Sequence, residues 1–271
     1  MTTTFAPPRI ESEQRPDGGL LIRSAEPLAE HPVSIVHSFR AGSEAHPGRL
    51  LVAERSGEEW ARLTWGEARA RVDALAQGLL DRELADRPVM VLSGNSRLHL
   101  VVALAAMTVG VPLVPTSVAY SLQSTDHAKL RAMAELVDPG LVVAEDASFA
   151  GAVAAVAAGR TVLSPDASLR GALHPDDLAA TPTAEVDRRC AALDRGDVAK
   201  ILFTSGSTGA PKGSAQHPRH AVGQPAADPP GLAVPRRRTA GAARLAALEP
   251  HVRRQPRHEH GAHQRRHPLD R

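Results

Sequence analysis

Short apolar runs alternate with longer stretches whose apolar residues recur at helical spacing, and the alternation holds from Pro32 to Phe203. "LTWGEARARVDALAQGLL" (63–80) puts Ala68, Val72, Leu75 and Leu79 on one helical face, which predicts an amphipathic helix. Thr64 with Glu67 three residues later has the spacing of a capping box that opens such a helix. "RPVMVLS" (87–93) predicts a buried strand, 95–109 a helix, "VPLVP" (111–115) a strand and "TDHAKLRAMAELVD" (125–138) a helix. A strand at 140–146, a helix at 147–159, a strand at 160–164 and a last strand, "AKILFTS" (199–205), continue the series. Strands alternating with helices predict an α/β domain with a mostly parallel sheet flanked by helices.

The pattern is interrupted in three places. Residues 1–31 follow neither period and read as an irregular N-terminal arm. "LHLVVALAAMTVGVPLVPTSV" (98–118) is long and apolar enough to suggest a membrane span, but Gly110, Pro112 and Pro115 cut it. A buried helix followed by a buried strand is therefore expected there, with no membrane partner. After Gly213 the pattern stops. Residues 214–271 contain no Phe, Trp, Tyr, Ile or Met, yet hold eight of the 22 prolines and seven of the 13 histidines. A segment of that composition buries too little apolar surface to offset the entropy of ordering, so a disordered Pro/His/Arg-rich tail is expected.

Composition sharpens this division. The formal charge of +2 conceals a tail with eleven Arg, no Lys and four acidic residues, a net +7, so the preceding residues carry −5. Within 271 residues the single Cys190 excludes a disulfide framework and suits a reducing compartment, and "MTTTFAPPRI" has no apolar core of a secretory signal. A cytoplasmic protein is expected.

The candidate chemistry lies where the last strand ends, in "TSGSTGAPKG" (204–213). Thr204, Ser205, Ser207 and Thr208 offer hydroxyl donors. Gly206, Gly209 and Gly213 let the backbone approach an anion and present its N–H groups, and Lys212 adds a cation for a phosphate oxygen. The spacing does not fit the G-x-x-x-x-G-K-[ST] loop. On composition alone a flexible Gly/Ser surface turn remains open.

"ILFTSGSTGAPKG" resembles the signature loop of the adenylate-forming enzymes, the superfamily of acyl- and aryl-CoA synthetases, luciferases and peptide-synthetase adenylation domains. "LTWGEARARVDALAQGLL", "NSRLHLVVALAAMTVGVPLVPTSVAYS" and "DVAKILFTSGSTG" stand in the order that superfamily shows, and "PTSVAYSLQSTDHAKL" is most similar to its feruloyl-CoA synthase branch. The resemblance covers most of 30–213 and implies a partial AMP-binding domain over 32–213. It implies that a carboxylic acid, an aromatic one such as ferulate or an acyl one, attacks the α-phosphate of ATP. The acyl-adenylate then passes its acyl group to coenzyme A. ATP with Mg²⁺ and coenzyme A are the implied co-substrates, and Thr204, Ser205, Gly206, Ser207, Thr208, Gly209 and Lys212 the implied ATP-phosphate residues. In the family the acid pocket, the adenine and ribose contacts, the Mg²⁺ carboxylate and the catalytic lysine all follow this loop. The tail matches none of them and has no Lys after Lys212, so no catalytic or metal-binding residue is assigned and little ligase activity is expected of this chain.

The genetic code suggests why the tail departs. Read one base later, codons for "LAALEPHVRR" (245–254) permit WLPWSHTFGG, which resembles the aromatic-rich segment after the phosphate loop in aryl-CoA synthetases. The same offset on 217–235 permits THGMLWANQQQIRQVWPF, and on 257–271 MNMVLTNGGTLWID. The expectation is that residues 214–271 are out of frame, with the slip near 214–217. Two readings without catalysis stand beside it: a nucleotide-binding remnant, and a basic protein acting through its tail. The tail arginines, Arg236–Arg238 among them, suit weak non-specific binding to nucleic acid. His258, His260, His263 and His267 are explained by out-of-frame coding and not by a metal site. His31 and His37 read as ordinary residues near a helix start, Asp176 and Asp177 as the opening of a short helix, and Cys190 as part of a linker helix.

Overall fold

Residues 9–25, 32–205 and 211–217 are described in the computed structural model. Ile10–Gln14 (β1) and Leu20–Ser24 (β2) pair antiparallel through a turn in which Gly18 takes φ +82°. The stretch read as an irregular arm is thus in part a hairpin. Its turn residues Pro16-Asp17-Gly18-Gly19 make the reversal, while both strands are almost wholly exposed and so carry no burial period to mark them.

Ile35–Ala45 (α1) leads to a second hairpin, Leu50–Ser56 (β3) with Glu59–Thr64 (β4), which runs directly into Trp65–Asp81 (α2). The capping box forms as its spacing predicts. The Thr64 amide donates to Glu67 Oε2 at 2.8 Å, and the Glu67 amide donates to Thr64 Oγ1 at 3.3 Å. The Thr64 amide, and the Thr64 hydroxyl that donates to the same Glu67 Oε2 at 3.0 Å, hold the Glu67 carboxyl below the usual carboxylate range.

The central sheet follows. Val89–Leu92 (β5), Arg97–Thr108 (α3), Leu113–Pro115 (β6), Val118–Leu122 (α4), Ala128–Val137 (α5) and Leu141–Ala144 (β7) come first. Ala150–Val156 (α6), Thr161–Leu163 (β8), Pro175–Leu178 (α7), Ala184–Ala191 (α8), Lys200–Ser205 (β9) and Pro211–Gln216 (β10) complete the series. The strand order is β10-β9-β6-β5-β7-β8, parallel throughout except for β10, which runs antiparallel on β9. The fold is the α/β architecture with a mostly parallel sheet that the sequence predicts.

Strands β5 and β7 read as unbroken apolar runs because helices cover both faces. Val89, Val91, Leu141 and Val143 pack with α1, α2, α3 and α8, while Met90, Leu92, Val142 and Ala144 pack with α5 and α6. The apolar stretch at 98–118 divides into α3 and β6, and no helix among the described residues is long and apolar enough to cross a membrane. Outside the sheet, Arg40 reaches Asp73 at 2.9 Å and Asp187 at 2.5 Å, which ties α1 to α2 and α8. Cys190 is buried on α8 beside this network, and desolvation pushes its thiol pKa up.

Candidate functional site

β9 ends at Ser205 and β10 returns from Pro211, so the glycine-rich segment joins two adjacent antiparallel strands at the edge of the sheet. The expected phosphate residues Gly206, Ser207, Thr208 and Gly209 lie outside the described residues. The other three border the loop. Thr204 stands directly opposite Lys212, and Ser205 opposite Pro211.

Residues opposite one another in an antiparallel pair share a face of the sheet. Lys200, Leu202 and Thr204 therefore share one face with Gln216, Ser214 and Lys212. Ile201 and Phe203 share the other with Ala215 and Gly213, and pack against the core formed with α5 and α6. Thr204 and Lys212 are exposed, so a hydroxyl and an ammonium group stand side by side at the mouth of the loop. That donor set suits phosphate oxygens. For a cation the donors are different: among the described residues no group of three or more His, Cys, Asp or Glu is arranged to hold a metal ion.

Gly213 does something other than what its sequence position suggests. It sits inside β10 opposite Phe203, with its backbone in the ladder and not in an anion-binding nest. β10 also continues to Gln216, three residues beyond the boundary read from the sequence. The return strand is anchored at its far end, where the Ala199 amide donates to the Gln216 carbonyl at 2.9 Å. His217 Nδ1 lies 2.7 Å from the Gly196 carbonyl and 3.0 Å from that of Asp197, which places the ring proton on Nδ1.

A second polar cluster occupies the carboxyl ends of β5 and β7. The chain passes from β5 to β6 on one side and then crosses back to β7 on the other, so these two strands flank the point where strand order reverses. There the Gly94 amide donates to Glu145 Oε2 at 2.8 Å, and His99 Nδ1 lies 3.0 Å from Ser93 Oγ and 3.2 Å from the Gly94 carbonyl. Sequence reasoning missed this cluster. Its signal was "SGNS" directly after a buried strand, but Glu145 joins it only through the strand order. Burial lowers the His99 pKa, Lys200 lowers it further, and the Gly94 carbonyl and Glu145 act against them.

A histidine with a depressed folded pKa is neutral in the native state, while the unfolded chain takes up a proton as pH falls through about 6.5. Its contribution to stability is therefore complete above that pH and is lost as pH drops toward the folded pKa. Denaturant midpoints measured from pH 7.5 down to 5.5 should decline, and His99→Gln should flatten that decline. An unchanged slope in the variant would assign the effect elsewhere.

With this architecture and loop in view, the comparisons with known proteins agree. The profile described as AMP-binding enzyme matches residues 39–224, and the chain belongs to that family. Malpinin synthetase of Mortierella alpina is 31% identical over 189 residues, which cover 68% of this chain and 2% of that protein. The luciferase-like enzyme of the mealworm Zophobas morio superposes with a TM-score of 0.58 at 18% identity, over 70% of this chain and 45% of its own. The fatty acyl-adenylate ligase from L. pneumophila, solved with acyl adenylate and pyrophosphate, gives 0.50 at 18% identity over 69% and 31%. The chain thus spans a small part of the curated relative and less than half of either solved structure.

Proposed function

We propose that this chain carries the ATP-phosphate loop of a carboxylate–coenzyme A ligase of the feruloyl-CoA synthase type, followed by a tail translated out of frame. The observation that carries the reading is the juxtaposition of Thr204 and Lys212 on the exposed face at the mouth of the loop. Lys212 would neutralise a phosphate oxygen and Thr204 would donate a hydrogen bond to it. Ser205, Gly206, Ser207, Thr208 and Gly209 would close around the same group. In the full reaction Mg²⁺ would offset charge on the phosphates, and the acid and coenzyme A would be the remaining substrates. The ligase from L. pneumophila, with acyl adenylate and pyrophosphate bound, supports this chemistry by likeness of fold.

The tail residues add no Lys, Phe, Trp or Tyr, and their arginines and histidines do not stand in the order in which the family places its adenine contacts and catalytic lysine. Positioning and electrostatic stabilisation account for most of such catalysis. The chain should accordingly bind ATP and form no thioester. Titration of the full chain with ATP should show saturable binding. Lys212→Ala should weaken it about tenfold or more, since hydrogen bonds to charged groups contribute roughly 1.5–3 kcal/mol. Binding that Lys212→Ala leaves intact would place the nucleotide elsewhere and overturn the assignment.

A further inference from the structure

Gly213 is opposite Phe203, and the space over it is narrow. A Cβ built on Gly213 would lie 3.3 Å from Ile201 Cγ2 and 3.5 and 3.6 Å from Phe203 Cε1 and Cζ. A Cβ there would be tight against Ile201 and in ordinary contact with the Phe203 ring, so an aromatic covers a glycine across an edge pair and a branched side chain at 213 would press on both. Phe203 and Ile201 are half-buried against the core formed with α5 and α6, which fixes their face inward.

Strand alternation then sends the next residue of each strand, Thr204 and Lys212, outward together. A slip of one residue between the strands would turn Lys212 toward the core face and break that juxtaposition. β10 is the terminal strand of the sheet and pairs with β9 alone among the described strands, so no further strand holds its register. Packing against Ile201 and Phe203 therefore limits the size of the residue at 213, independently of any anion.

We propose that Phe203 and Gly213 are a positioning pair, a register lock that keeps Lys212 opposite Thr204 so that both reach one phosphate of a nucleoside triphosphate. The proposal rests on the reading of the loop as an ATP-phosphate site. It assigns the pair no contact with the nucleotide.

Two measurements on the full chain separate the lock from that reading. The first reports register alone. Leu202→Cys and Ser214→Cys place two thiols directly opposite one another on the exposed face, while Cys190 is buried. Directly opposed Cβ atoms are about 4.5–5.5 Å apart, within reach of a short dithiol crosslinker such as dibromobimane. Peptide mapping should find the 202–214 crosslink in this background and in Phe203→Tyr, and find it about fivefold reduced in Gly213→Val and Phe203→Ala. The second measurement is ATP titration in chains with Leu202 and Ser214 restored. Affinity should fall about tenfold in Gly213→Val and Phe203→Ala and stay within about twofold in Phe203→Tyr. In Gly213→Val the melting temperature should move little, because the hairpin lies at the sheet edge. Undiminished crosslinking in Gly213→Val overturns the lock. If the parent chain binds no ATP, the phosphate reading fails and the crosslink yield still decides the lock.

Discussion

Gly78→Ala should strongly destabilise the α2 side of this domain. A Cβ built on Gly78 would sit 1.7 Å from the Leu178 carbonyl oxygen and 2.8 Å from its carbonyl carbon, so the obstacle is backbone and not a rotatable side chain. α7 cannot simply retreat. The Ala180 amide donates to the Ala74 carbonyl, the Thr183 amide and hydroxyl both donate to Gln77 Oε1, and Arg82 donates to the Asp177 carbonyl. Moving the segment far enough for a methyl group breaks several of these bonds and opens the core around Leu178. We expect a loss of about 3 kcal/mol or more, at the upper end for overpacking of a close-packed interior. For a domain of this size that corresponds to roughly 6–12 °C in Tm. Thermal unfolding of the variant within about 2 °C of the parent would mean that α2 and α7 do not meet this closely.

Activity is where the second large effect should appear. The chain as translated should form no AMP above background from ATP, an aromatic acid and coenzyme A. A coding sequence shifted by one base near codons 214–217, and continued in the frame that permits WLPWSHTFGG at 245–254, should form AMP and thioester. The reason is physical. An ATP-phosphate loop alone can hold a nucleotide, but it cannot bring a carboxylate to the α-phosphate or stabilise charge as it develops there. Release of AMP that requires both acid and coenzyme A, and that Lys212→Ala diminishes, would connect the restored activity to the loop described above. A shifted chain that folds and remains silent would count against the ligase reading.

How much of this was legible beforehand depended on whether the deciding contacts were local. The start of α2 was readable because Thr64 and Glu67 satisfy each other within one turn. Strands β5 and β7 were readable because burial on both faces leaves continuous apolar runs, "VMVL" and "LVVA". The hairpin β1–β2 was not, since strands exposed on nearly every residue carry no burial pattern. β3–β4 escaped for a related reason: only Leu51 and Leu63 are buried in it, too few to set a period of two. At the loop, residue types pointed to phosphate chemistry, but which side chains share a face followed only from the register of β10 on β9. Gly213 shows the limit most clearly. Read along the chain it belongs with the other loop glycines, whereas across the hairpin it lies in the β9–β10 ladder, covered by Ile201 and Phe203. The clustering of His99 with Glu145 likewise depends on strand order, which no local stretch contains.

If a phosphate loop of an adenylate-forming ligase is followed here by a tail read in the wrong frame, the coding DNA records it. Sequencing the coding DNA across codons 205–271 tests it most directly, because the residues leave the third bases free. The frame one base later should be open throughout and encode THGMLWANQQQIRQVWPF over 217–235 and WLPWSHTFGG over 245–254. Stop codons in that frame, or third bases that replace these residues with unrelated ones, would contradict it and leave the basic tail as a product of its own reading frame.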